Sequence, residues 1–303
     1  MKSKGKDFDM SEPEFLIDVM NRHENYCTII CLVGGGQEIN TGEAGLSEWV
    51  NALKNHYSNW DINYSNLITA DNDYLNDENL KDWLIKNGNA EAELHLSVSV
   101  RSFRSEKISS FVHSVIEGDA IGAKNILNEI DKLFPIRITR DFNIAKQWLR
   151  KNKKGTERIG LVGSSGGRRL RPLGIDVKNE ITAEDWFLNN ASDVRSSHYL
   201  ELVATEFDIQ GLEIDYVCLA WDINFNFNNG EWNYQSFEGT KWKAINNEID
   251  KSYLRNSYRV LMTRARQGLI IFIPYGDNLD PTRPKVLYDN TYNFLSSCGI
   301  HTI

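Results

Sequence analysis

Apolar runs of strand length alternate along this chain with helical patterns and glycine-bearing turns. Ser11-Glu12-Pro13-Glu14 is a helix start, with a capping hydroxyl, an early proline and acids in the first turn. Phe15, Leu16, Val19 and Met20 follow at helical spacing. The run Cys27–Val33 is apolar throughout, as a central parallel strand requires, and ends in Gly34-Gly35-Gly36. Leu46–His56 predicts a helix with Trp49, Val50 and Leu53 on one face. Residues 58–93 read as a loop-rich insertion with one helix near Glu78–Lys86. Leu94–Val100 alternates apolar and polar residues, the period of a strand.

The second part repeats the theme. Helices are expected at Ser105–Glu117 and Ala120–Leu133, a strand at Ile136–Thr139 and a helix near Asp141–Lys151. Arg158–Val162 is a strand running into the glycine loop Gly163-Ser164-Ser165-Gly166-Gly167. A linker with a helix around Trp186 and Phe187 precedes the strand Val217–Ala220. The aromatic stretch Trp221–Trp242 has no helical period and reads as a β-hairpin arm over a site or as a surface insertion. Ile245–Leu261 is helical, Leu269–Ile273 a strand, and Tyr288–Cys298 a capping helix. Strand–helix alternation with glycine loops after strands argues a parallel α/β sheet.

Composition narrows this reading. The 303 residues suffice for one large or two ordinary domains. No apolar run approaches the ~18 residues of a membrane helix, and the basic N-terminus has no apolar core behind it, so neither a span nor a signal peptide is expected. Cys27, Cys31, Cys218 and Cys298 form no C-x-x-C pair, which argues against zinc and for a reduced, cytoplasmic setting. A net charge of −8 is unfavourable for a free-standing nucleic-acid binder. Yet Lys146, Arg150, Lys151, Lys153, Lys154, Arg158, Arg168, Arg169 and Arg171 crowd one stretch. They form either a solvated helix end and loop or a local groove for a phosphate backbone.

Two motifs carry the chemistry. Thr205-Glu206-Phe207-Asp208-Ile209-Gln210-Gly211-Leu212-Glu213-Ile214-Asp215-Tyr216-Val217 places a glycine, then an acid, ahead of an apolar strand. That order suits a loop touching a ligand from a sheet edge. Tyr258-Arg259-Val260-Leu261-Met262-Thr263-Arg264-Ala265-Arg266 sets an Arg-x-Arg pair before a buried strand, fixed positive charge suited to phosphate. Together they resemble motifs V and VI of superfamily-one helicases. Gly34–Gln37 resembles motif III one residue short and without its Asp, and Leu96–Ser102 resembles the Leu-x-x-Asn-Tyr-Arg-Ser pattern with Val100 at the tyrosine. The loop after Val162 looks like motif IV, and Gly34–Leu46 is similar in wording to bacterial Schlafen-type DNA/RNA helicase domain proteins.

The resemblance, over roughly residues 11–300, implies a RecA-like second lobe over 105–303, preceded by the C-terminal remnant of a first RecA-like lobe over 1–104. It implies catalytic roles for Arg264, Arg101 and Gln37. Gly211, Glu213 and Arg266 would meet the nucleotide, and Arg168, Arg169, Ser164 and Thr205 the nucleic acid. No metal-ligand set is implied. The 303 residues contain no G-x-x-x-x-G-K-[ST] phosphate loop. ATP and Mg²⁺ are therefore expected only in a complete two-lobe protein, with Walker A and B on a separate or upstream segment. The implied function is the C-terminal half of an NTP-dependent helicase or translocase acting on single-stranded DNA or RNA, inactive alone. The other open reading is a non-catalytic binding or adaptor module that kept the fold.

Overall fold

A computed structural model describes residues 10–32, 45–70, 74–75, 77–95 and 103–303. Gln37, Arg101, the Gly34–Gly36 turn and most of the expected 94–100 strand lie outside the described residues. The chain divides into two compact units, Met1–Ser99 and Val100–Ile303.

In the first unit, α1 (Glu12–Asn21) begins at Ser11, whose hydroxyl accepts from the Glu14 amide at 3.4 Å. The helix α2 (Leu46–His56) precedes β1 (Ile62–Ser65), α3 (Leu67–Ala70), α4 (Glu78–Asn87) and β2 (Gly88–Glu91). Asp77 caps α4 by accepting from the Asn79 and Leu80 amides. The parallel pair β1–β2 was not foreseen in the stretch read as a loop-rich insertion. Val50, Tyr64, Ile68, Leu75, Leu80 and Leu84 form the core beneath it. The expected strand at Cys27–Val33 is corrected: Cys27–Leu32 has no strand pairing, and Ile30 and Leu32 are over four-fifths exposed. An apolar strand needs hydrogen-bonded neighbours and cover on both faces, and the described residues offer it neither.

The second unit opens with α5 (Phe103–Ile116) and α6 (Ala120–Ile130). Then come β3 (Ile136–Thr139), α7 (Phe142–Asn152), β4 (Ile159–Gly163), α8 (Ala183–Leu188), β5 (Val203–Ala204) and β6 (Ile214–Ala220). An antiparallel meander follows, β7 (Phe225–Asn228), β8 (Glu231–Glu238) and β9 (Lys241–Ala244). The chain closes with α9 (Glu248–Thr263), β10 (Ala265–Phe272), α10 (Lys285–Ser297) and β11 (His301–Thr302). Six strands form one parallel sheet in the order β11-β3-β10-β6-β4-β5, a RecA-like α/β arrangement.

Both faces of the sheet are covered, which explains the continuous apolar runs. Val217 and Leu219 of β6, with Leu269 and Ile271 of β10, join a core that includes Phe111, Leu127, Tyr258 and Leu295. The alternate residues Cys218, Ala220, Ile270 and Phe272 pack instead with Ala145 and Leu149 of α7. Each fully buried Val, Leu, Ile or Phe side chain among them stabilises by roughly 1.5–3 kcal/mol.

The aromatic stretch is also corrected, from a surface feature to a core element. Trp221, Phe225 and Trp232 are buried and stacked, with the Phe225 and Trp232 ring centroids 4.1 Å apart. The Trp232 indole donates to the Val115 carbonyl of α5 at 3.1 Å. Short strands with aromatics on one face can bury that face only against helices, here α5, α9 and α10.

Candidate functional site

In a parallel sheet every strand runs the same way, so one edge collects strand ends and the other strand starts. The expected site residues that are described divide between these two edges.

At the carboxyl edge, β4 releases the loop Ser164–Gly167, β5 releases Thr205-Glu206, and β6 releases Trp221–Asn224. The amides from Ser165 to Arg169 are all bonded within the protein. Ser165 N donates to Glu206 Oε2 at 2.8 Å, and Gly166 N to Ser164 Oγ at 3.3 Å. Gly167 N donates to the Ser164 carbonyl, Arg168 N to the Gly166 carbonyl, and Arg169 N to Asp222 Oδ2 at 2.8 Å. Two buried carboxylates thus occupy the places that phosphate oxygens take in a phosphate-cradling loop. Burial raises the carboxyl pKa of both Glu206 and Asp222, against the lowering effect of those hydrogen bonds.

Asp222 is the hub of this edge, and sequence reasoning missed it. It is wholly buried, accepting from Tyr288 Oη at 2.6 Å, from the Ile223 amide at 2.9 Å, and from Arg169 N. Tyr258 Oη donates to Asn224 Oδ1 at 2.8 Å, and Asn224 Nδ2 donates to Ser164 Oγ at 2.9 Å. An acid just past an apolar strand was the available signal.

Three of the four expected nucleic-acid residues are already engaged. Ser164 is 1% exposed, so its hydroxyl supports the loop instead of facing a ligand. The Thr205 hydroxyl donates to Asp208 Oδ2 at 2.7 Å. The Arg169 guanidinium pairs with Asp280 at 2.7 Å and lies over the Phe237 ring. Arg168 is exposed on the loop.

The single basic groove is corrected as well. The helix α7 runs back against the strands, so Arg150, Lys151, Lys153 and Lys154 reach the amino edge, with Arg158 at the start of β4. Arg168, Arg169 and Arg171 lie beyond the other end of β4. Five residues of strand span about 16 Å, so cations adjacent in sequence sit at opposite edges. Several are also paired within the unit, Lys146 with Glu201 and Arg171 with Asp176. Arg158 donates to the Trp186 and Asn189 carbonyls.

The nucleotide set gathers at the amino edge. The helix α9 passes into β10 without a loop, and Ile214 N of β6 donates to the Arg264 carbonyl at 3.0 Å. A bulge between Ala265 and Gly268 shifts the register of β10 against β6. Bulges re-aim side chains. Arg264 is 5% exposed, its Nε donating to the Val260 carbonyl at 3.3 Å, while the Arg266 side chain is 61% exposed. Arg266 Nε lies 3.8 Å from Glu213 Oε2, a loose and partly exposed pair. Gly211 turns the chain at φ +79°, open space for glycine and strain for any L side chain. Arg264 therefore has a packing role as well as a charge, because its buried guanidinium closes the last turn of α9.

His198 is a titratable group at this edge. Lys153 Nζ, which can only donate, lies 3.3 Å from its Nδ1, so Nδ1 accepts. Burial first, then Lys153 and Arg158, lower its pKa from 6.5 to about 4. The unfolded chain thus binds the proton more tightly. The His198 contribution is fully present above about pH 6.5 and is lost as pH falls towards 4. His198→Gln is expected to flatten the acid limb of a melting-temperature profile between these values, and an unchanged limb would refute the assignment.

Among the described residues no cluster of three or more His, Cys, Asp or Glu could hold a metal ion, and no helix is long and apolar enough to cross a membrane. The family described as Schlafen group 3, DNA/RNA helicase domain, matches residues 1–275. No curated protein and no solved structure matches the chain.

Proposed function

The chain belongs to the Schlafen group 3 DNA/RNA helicase domain family, and from that premise we propose that it is the second-lobe half of a nucleic-acid-dependent NTPase. In this reading the amino edge meets the nucleotide and the carboxyl edge the nucleic acid. The carrying observation is the segregation of the two residue sets to opposite edges of one sheet, joined by the Thr205–Glu213 segment. That segment leaves β5 at the carboxyl edge and enters β6 at the amino edge.

ATP fits the amino edge in part. Arg266 is exposed and loosely paired, so its planar fork is free to turn to phosphate oxygens, with Glu213 beside it for a sugar hydroxyl. Arg264 orients the strand start that carries Arg266. The lysine-bearing phosphate loop and the Mg²⁺ ligands would come from residues other than these, since the sequence holds no such motif. With them, ATP would supply the free energy for movement along a single strand of DNA or RNA.

The test is turnover and binding together. The 303-residue chain is expected to show no ATP hydrolysis with or without nucleic acid. It is expected to bind single strands weakly, with affinity falling steeply as salt rises. Robust turnover, or binding indifferent to salt, would refute the reading. A second reading, a non-catalytic nucleic-acid-binding or adaptor module, is favoured by the internally bonded loop amides. It predicts no turnover even when a segment bearing Walker A and B is added.

A further inference from the structure

The carboxyl edge holds an aromatic feature that neither motif includes. Beyond β10, Tyr275 is 60% exposed. Beyond the neighbouring β3, the Arg140 guanidinium lies 4.5 Å from the Tyr275 ring centroid and 4.9 Å from that of Tyr292 on α10. The cation is thus stacked against both an inner ring and an outer one. Arg140 Nη2 donates to the Pro274 carbonyl and to Asp289 Oδ1, each at 2.8 Å, which fixes the backbone just before Tyr275. Tyr292 is tied in turn to Thr302 of β11 through a 2.7 Å hydroxyl contact. Arg140 Nε is buried without a hydrogen-bond partner.

The Tyr275 ring thus rests on the Arg140 guanidinium and still leaves much of its surface in water. That arrangement suits a flat ligand that stacks, and the positive charge behind the ring favours an electron-rich plane near phosphate. Two nearby acids are paired locally: Arg283 pairs with Asp277 and with Asp280, each at 3.1 Å. Arg168 emerges from the same edge two strands away, beyond β6.

We propose that the Tyr275 ring, backed by Arg140, is a stacking platform for an unpaired nucleobase, so that the carboxyl edge selects single strands over duplex. This rests on the reading of that edge as the nucleic-acid side. Every base has a π-face, so the contact carries little sequence preference, whereas a duplex buries its faces in its own stack.

The experiment measures the affinity of the 303-residue chain for three labelled probes: a mixed-sequence single strand, an abasic strand of equal length, and the corresponding duplex. The wild type should prefer the base-bearing strand. Tyr275→Ala should weaken that probe about tenfold and leave the abasic strand unchanged, while Tyr275→Phe and Tyr275→Trp keep the affinity. Should the alanine variant fail to fold, Tyr275→Leu, of similar bulk without a π-face, is expected to show the same selective loss. Equal loss on both strands, no loss on either, or duplex bound as tightly as single strand would overturn the platform while leaving nucleic-acid binding intact. Failure of the wild type to bind any probe would overturn both.

Discussion

Replacing Asp222 by alanine is expected to cost about 3 kcal/mol or more, because three donors lose their acceptor inside the protein. Tyr288 Oη, the Ile223 amide and the Arg169 amide all end on this carboxylate. An orphaned buried donor costs about 1–3 kcal/mol, partly offset here by no longer burying a charge. For a unit of this size the loss corresponds to roughly 6–12 °C in melting temperature. Asp222→Asn is the sharper probe. It keeps the shape but replaces one acceptor with a donor, so one of the three hydrogen bonds becomes a clash of donors. A melting curve for Asp222→Asn within 1 °C of wild type would show that the loop Ser164–Arg169 is not held this way. The alanine variant should also weaken single-strand binding, since Arg168 loses its fixed position on the loop.

Arg264 and Arg266 are expected to separate cleanly despite lying two residues apart. Arg264→Ala should destabilise the second unit by about 2–4 kcal/mol, through the empty volume and the carbonyl left at the end of α9. Arg266→Ala should leave stability unchanged, because the side chain is mostly exposed and its pair with Glu213 is loose. Arg264→Lys restores charge without the fork and is expected to recover only part of the loss. In an assembly that hydrolyses ATP, Arg266→Ala should still lower the rate by a factor of about 10³, the scale of an arginine that stabilises charge on the transferring phosphate. Thermal melts and turnover on the three variants decide the matter. A normal melting temperature for Arg264→Ala would mean that its guanidinium plays no structural part. Full turnover in Arg266→Ala would remove it from the phosphate.

Much of the second unit was legible because both faces of its sheet are buried. A strand covered on both sides must be apolar at every position, and Val217–Ala220 and Leu269–Ile273 lie almost wholly within β6 and β10. Capping side chains marked α1 and α7 within a residue or two. The two motifs marked the start of β6 and the entry into β10. The failures share a physical cause, dependence on partners distant in sequence. Cys27–Val33 has the composition of a central strand, but pairing is supplied by neighbours and not by the strand itself. Trp221–Trp242 gave no sign of burial, because its cover comes from α5, α9 and α10. The run from Lys146 to Arg171 is one charge cluster in sequence and two edges in space, since β4 passes between its halves. Residue type determined which positions could carry charge, turn the chain or fill a core. Only the tertiary structure decided that Arg264 is buried and Arg266 exposed, and that Asp222 anchors the glycine loop. Burial and hydrogen-bond partners belong to contacts between elements, and those contacts exist only once the chain has folded.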